Sequence, residues 1–137
     1  MSNCTCQRLR KTARQLTQIY DKALASSGLT VTQFGILGNL AGRGDLSIGQ
    51  LAEHMGMDPT SLNRTLKPLQ RKKFVTEKND AKDKRVRLIS LTKSGLSALA
   101  DAIRPWKSAQ DHVTTSLGSV ALAALNKQLD LAFHQIH

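Results

Sequence analysis

Cysteine is scarce in this chain, two residues in 137, and that argues against a disulfide-stapled secreted scaffold. Aromatic residues are few, at 4%, and there are only three prolines. No apolar run approaches the roughly 20 residues a membrane span needs. The opening MSNCTCQRLRK has no apolar stretch behind its charges, so it does not read as a secretory signal, and a cytoplasmic protein is the expectation. Acidic residues are the most telling shortage: ten Asp and Glu face twenty Lys and Arg, a net charge of +10. Such an imbalance points to a polyanionic partner, most often nucleic acid. At 40% hydrophobic and 22% charged residues, the chain can still bury a core, and one domain over 1–137 is expected. Repeats and low-complexity tracts are absent.

Most of the remainder reads as helix. Leu9, Ala13, Leu16, Tyr20, Ala23 and Leu24 recur every three or four positions, and Gly28 follows where a helix end wants glycine. Thr30 with Gln33, and Ser47 with Gln50, have capping-box spacing ahead of apolar stripes. The glycines between Ala41 and Asp45 read as a turn, and Gly56 stops the helix that Ser47 opens. Asp58 and Pro59 restart the chain as N-cap and first helical residue, with Leu62, Leu66 and Leu69 on the inner face up to about Lys72. Pro68 removes one hydrogen bond from that helix. Residues 74–78 and 86–91 look like strands flanking a charged connection, Asn79 to Arg85. Thr92 caps a long helix over about 93–117, bent near Pro105, and Ser119 is read as the cap of a last one.

Two short helices around a glycine turn, followed by a charged hairpin, make a winged helix-turn-helix. With its leucines buried, the second helix offers Thr60, Ser61, Asn63, Arg64 and Lys67 to a major groove, where Asn suits adenine and Arg suits guanine. Arg71, Lys72, Lys84, Arg85 and Arg87 complete the expected DNA-facing set. Residues 64–87 hold ten basic residues against three acidic, +7 of the whole +10. The fold class is therefore mainly α with a small β-hairpin wing. No phosphate loop, nucleophile elbow or paired-carboxylate pattern points to catalysis, and no cofactor is expected. Cys4, Cys6, His54, His112, His134 and His137 lack the spacing of a structural zinc site.

The residues so far resemble the MarR transcriptional regulators over nearly the whole chain. GLTVTQFGILGNL looks like the family's second helix, LSIGQLAEHMGMDPTSLNRTLKPLQRKKFVTEK like its helix-turn-helix and first wing strand, and DAKDKRVRLISLTKSG is similar to its wing signature. There Asp83, Lys84 and Arg85 fill the family's Asp-Arg-Arg places. The resemblance implies that Asp83 orients the wing and that Arg85 enters a narrow A·T-rich minor groove. It implies a homodimer on a pseudo-palindromic operator, with residues 30–92 as the DNA-binding lobe and 1–28 plus 93–137 as a helical dimerisation lobe. Leu122, Leu125, Leu129, Ala132 and Ile136 fit a coiled-coil seam for that lobe, or else packing within one core.

Cys6 lies near a helix start beside Arg8, Arg10 and Lys11, which favours thiolate, so Cys4 and Cys6 read either as inert or as a redox switch. Cys6 falls where the hydroperoxide-sensing branch of the family keeps its reactive cysteine, and Tyr20 matches a tyrosine that this branch places near the sulfur. The branch's second tyrosine is Arg10 here. Family members also bind small aromatic acids between their lobes; Arg14, Tyr20, Phe34, Ile103 and Trp106 are the candidates, with ordinary packing the competing reading for Phe34 and Trp106. A regulator, generally a repressor released by oxidant or small ligand, is thus set against two others. One is a non-specific architectural DNA-binding protein, and the other a ligand- or metal-binding module with incidental charge.

Overall fold

The computed structural model describes residues 3–136. Helix α1 (Thr5–Leu24) passes through a short 3-10 turn (Ala25–Ser27) to α2 (Val31–Arg43), then strand β1 (Leu46–Ser47), α3 (Ile48–Met55), α4 (Pro59–Arg71), strands β2 (Val75–Asn79) and β3 (Arg87–Leu91), α5 (Lys93–Leu117) and α6 (Ser119–Gln135). The strands form one antiparallel sheet in the order β1-β3-β2.

Local chemistry sets most boundaries. Thr30 and Ser47 each accept from the backbone N–H three residues on, while Gln33 and Gln50 reach back to the capping residue's own N–H. Gly28 and Gly56 end their helices in the left-handed conformation. Asp58 accepts from Ser61 N at 2.9 Å and Pro59 opens α4. Those bonds hold the Asp58 carboxyl below its usual range. The cap is therefore complete at neutral pH and is lost as pH falls through the carboxylate range.

Three boundaries differ from expectation. Helix α2 continues to Arg43, which confines the turn to Gly44 and Asp45. Asn79 pairs with Arg87 inside the hairpin, so the open loop is residues 80–86. Ser119 is the first residue of α6 rather than its cap; Gly118, at φ 85°, holds that place without a side-chain bond. The chain also forms β1, which the sequence pattern did not reveal: Leu46 pairs with Ile89 and Ser47 with Leu88. Helices α4 and α5 run through Pro68 and Pro105 as single helices.

The core lies in the middle of the chain. Leu24, Leu29, Ile36, Leu37, Leu40, Leu51, Leu62, Leu66, Leu69, Val75 and Ile89 are buried together, with Leu99 and Ala102 of α5 closing it. Outside it the burial fades. Of α1 only Leu24 is fully buried, and α6 buries none of its residues. No helix among the described residues is long and apolar enough to cross a membrane.

Candidate nucleic-acid interface

Helix α4 divides cleanly. Leu62, Leu66 and Leu69 are essentially inaccessible. Thr60, Arg64, Lys67 and Arg71, at i, i+4, i+7 and i+11, form a stripe along the opposite side, and Asn63 stands exposed at its edge. None of the three stripe cations has an ion-pair partner among the described residues. A solvent-facing row of unneutralised cations at helical spacing is an electrostatic footprint for phosphate.

Ser61 departs from this set. Its hydroxyl donates to Asp58 Oδ2 at 2.8 Å, so it reinforces the cap rather than facing outward unengaged. Lys72 departs further. Its ammonium donates to the Gly28 carbonyl at 2.8 Å and lies 5.9 Å from the Phe74 ring centre. Here Lys72 ties the end of α4 to the turn after α1; it is not the free phosphate contact that charge alone implied. Arg87 also has a partner, Glu77 on the neighbouring strand at 3.4 Å.

The wing tip is built by its own aspartates. Asp80 N–H bonds Val86 O, Asp80 Oδ1 accepts from Lys82 N, and Asp83 Oδ1 accepts from Arg85 N. Asp83 also takes the Arg85 guanidinium through both oxygens, at 3.1 and 3.2 Å. That fork holds the Asp83 carboxyl below its usual range. The Arg85 side chain stays 90% exposed even so. Lys82 and Lys84 stand beside it, exposed and without ion pairs among the described residues. Lys82 lies outside the expected DNA-facing set; its place between two aspartates that turn the loop marks it as a further candidate. At the wing's base, Lys78 bonds Asp45 at 2.7 Å and fastens the hairpin to the segment before α3.

The remaining candidates do not converge. Phe34 and Trp106 stack at 5.6 Å and pack on the core, which agrees with the ordinary-packing reading. Tyr20 donates to Gln110 of α5. Burial pushes its hydroxyl pKa up. Arg14 lies on a different surface, with Arg10, Ala13, Thr17 and Gln18, and Ile103 is half exposed. Within one chain, then, Arg14, Tyr20, Phe34, Ile103 and Trp106 do not line a single cavity. Cys4 is the N-cap of α1 and Cys6 lies exposed in its first turn, both as free thiols. Tyr20 sits fourteen residues further along the helix, about 21 Å away at 1.5 Å per residue, so the two do not meet within a chain. Among the described residues no group of three or more His, Cys, Asp or Glu is placed to hold a metal; His137 lies outside them.

A family model described as "MarR family" matches residues 27–86, which runs from the turn before α2 to the wing tip. The M. tuberculosis transcriptional regulator MosR, solved in complex with DNA, is 34% identical with a TM-score of 0.80, over 98% of this chain and 100% of that one. The chain belongs to the MarR family of transcriptional regulators. Among curated proteins, the transcriptional activatory protein BadR of Rhodopseudomonas palustris is 31% identical over 91 residues, 64% of this chain and 52% of that protein. This MarR-family chain thus spans about half the length of the first curated relatives it matches. Bordetella bronchiseptica BpsR, whose DNA binding is regulated by 6-hydroxynicotinic acid, shares the fold with a TM-score of 0.88 at 19% identity, over 100% of this chain and 97% of that one.

Proposed function

We propose that this MarR-family chain is a homodimeric repressor that binds a pseudo-palindromic operator in double-stranded DNA through α4 and the wing. The observation that carries this reading is the stripe of cations on α4, without ion pairs among the described residues, backed by three fully buried leucines and flanked by a self-ordered basic wing tip. Helix α4 presents Asn63 and Arg64 to base edges, while Lys67, Arg71, Lys82 and Lys84 meet phosphates. MosR, 34% identical and solved in complex with DNA, supports DNA as the partner.

The experiment is substitution on an operator recovered by selection from random DNA. Asn63→Ala and Arg64→Ala each reduce discrimination between operator and scrambled duplex by about 1–3 kcal/mol, the worth of a bidentate base contact. Lys67→Ala weakens both duplexes alike and lowers the salt slope by about one. Equal effects of all three on both duplexes point to a non-specific architectural protein instead.

Arg85→Ala removes the side chain held out at the wing tip. Operator affinity falls, and the preference for A·T pairs beneath the wing relaxes, because a narrow groove's negative potential favours arginine. Titration of operators carrying A·T or G·C at the wing positions tests this; unchanged preference with unchanged affinity removes the wing from the interface.

The dimer reading rests on α6, which has no fully buried residue and leaves Leu125, Leu129, Leu131, Phe133 and Ile136 exposed to a third or more. Residues 1–28 and 93–137 then form the dimerisation lobe. Release from DNA is proposed through oxidation at Cys6, whose exposed thiol is open to a hydroperoxide. Thiolate attack on the peroxide gives a sulfenic acid and an alcohol, and condensation with a cysteine of the partner subunit gives a disulfide and water. Stoichiometric hydroperoxide is expected to lower wild-type affinity reversibly and to leave Cys6→Ser unaffected. Full wild-type affinity after treatment, with no crosslinked species on a non-reducing gel, transfers the signal to a non-covalent ligand such as a small aromatic acid.

A further inference from the structure

The end of α4 and the start of α5 meet in a knot that the DNA-contact account does not use. Helix α4 closes in a Schellman arrangement: Phe74 N–H bonds Leu69 O at 2.9 Å and Lys73 N–H bonds Gln70 O at 3.0 Å. The residue in the left-handed position is Lys73, at φ 61°, the one non-glycine residue with positive φ among the described residues. A side chain there is strained, and such a conformation persists where its surroundings hold it.

The holding group is Thr92. Its hydroxyl accepts from Gly95 N at 2.9 Å, which caps α5, and donates to Lys73 O at 2.6 Å. One oxygen therefore caps the first turn of α5 and grips the carbonyl of the strained residue that ends α4. Thr92 N–H adds a bond to Phe74 O at 3.1 Å. Gly95 presses the same contact closed, since a Cβ there would lie 2.0 Å from Phe74 O and 2.8 Å from Leu91 Cδ1. No side chain fits without moving the two segments apart.

Through α5 this knot faces the rest of the molecule. The helix has 25 residues and is about 37 Å long. A tilt of about 5° at one end displaces the other by about 3 Å, close to the rise of one base pair, about 3.4 Å. We infer that Thr92 and Gly95 are positioning residues that fix the angle between α4 and α5, and thereby the half-site spacing the dimer accepts. The inference rests on the dimeric reading above. It assigns the spacing to a junction that lies outside the α4 stripe and the wing tip.

The test uses the full chain and the selected operator, rebuilt with its spacer lengthened or shortened by one base pair. Thr92→Asp keeps an N-cap acceptor for Gly95 but, ionised, has no proton for Lys73 O. Thr92→Ser keeps both. Gly95→Ala forces the segments apart, and circular dichroism checks that each variant is folded. Wild type and Thr92→Ser are expected to lose about tenfold or more in affinity when the spacer changes, since both half-sites can no longer be engaged together. For Thr92→Asp the loss shrinks to about threefold or less, and for Gly95→Ala the optimum flattens or moves. Base preferences within a half-site stay as in wild type. If the variants weaken every spacer by one common factor and keep a sharp optimum, the knot is only structural and the inference is overturned. Should wild type itself show no spacing optimum, the dimeric reading fails first and this inference falls with it. Thr92→Asp decides the matter even where Gly95→Ala does not fold.

Discussion

Placing aspartate at both Leu125 and Leu129 is expected to yield a folded monomer whose operator affinity is lower by about 10²–10⁴, the usual worth of a second tethered contact. The two positions lie one turn apart on α6 and remain partly exposed, while the buried core is formed by the segments from Leu24 to Ala102. Charges on α6 therefore leave that core intact. What they charge is a surface only partly covered in its own chain, where Leu129 and Phe133 line an apolar groove with Leu9 of α1. Burying a carboxylate in a subunit contact is far more costly than leaving it in water. Sedimentation gives the mass, and titration of whole operator and isolated half-site gives the two affinities. Half-site binding is expected to survive. A variant that remains dimeric places the subunit contact elsewhere.

Leu66→Ala carries the second large effect. Leu66 is 1% exposed and stands between Leu62 and Leu69 on the inner face of α4. Truncating such a leucine removes its transfer energy and leaves a cavity, at about 2–5 kcal/mol. Domains of this size are stable by only about 5–15 kcal/mol, so a large share is lost. The midpoint of urea unfolding should fall by roughly 1 M or more with little change in slope, measured at one protomer concentration because the proposed dimerisation would also stabilise the fold. DNA binding at low temperature should fall less than stability does, since the stripe residues point away from the cavity. A midpoint shift below about 0.3 M contradicts the burial that orients the stripe.

Much of this architecture is legible in the sequence because its boundaries are set by bonds three residues long. The Thr30–Gln33 and Ser47–Gln50 boxes and the Asp58–Pro59 start are local statements, and the structure forms each of them. What stayed hidden depends on distant partners. Strand β1 has two residues and exists only because β3, some forty positions on, pairs with it. In the sequence Lys72 is one more cation in a basic run; its partner, Gly28, lies 44 residues earlier. Lys73 fills a place where glycine is the usual sign of a helix end, so the closure of α4 left no recognisable mark. The crevice residues failed to converge for a related reason: spacing along α1 places Arg14 and Tyr20 on one helix but does not decide which neighbour each meets, and Tyr20 meets Gln110.

Helix α4 and the wing are proposed to read sequence rather than merely to hold a polyanion. Competition of the selected operator against random duplex of equal length, at about 0.15 M salt, tests it most directly, because backbone contacts alone weaken steeply as salt rises. The operator is expected to bind about 10³-fold tighter or more and to retain its advantage from low salt to 0.15 M. Equal affinity for the two duplexes, falling together as salt is added, would contradict it.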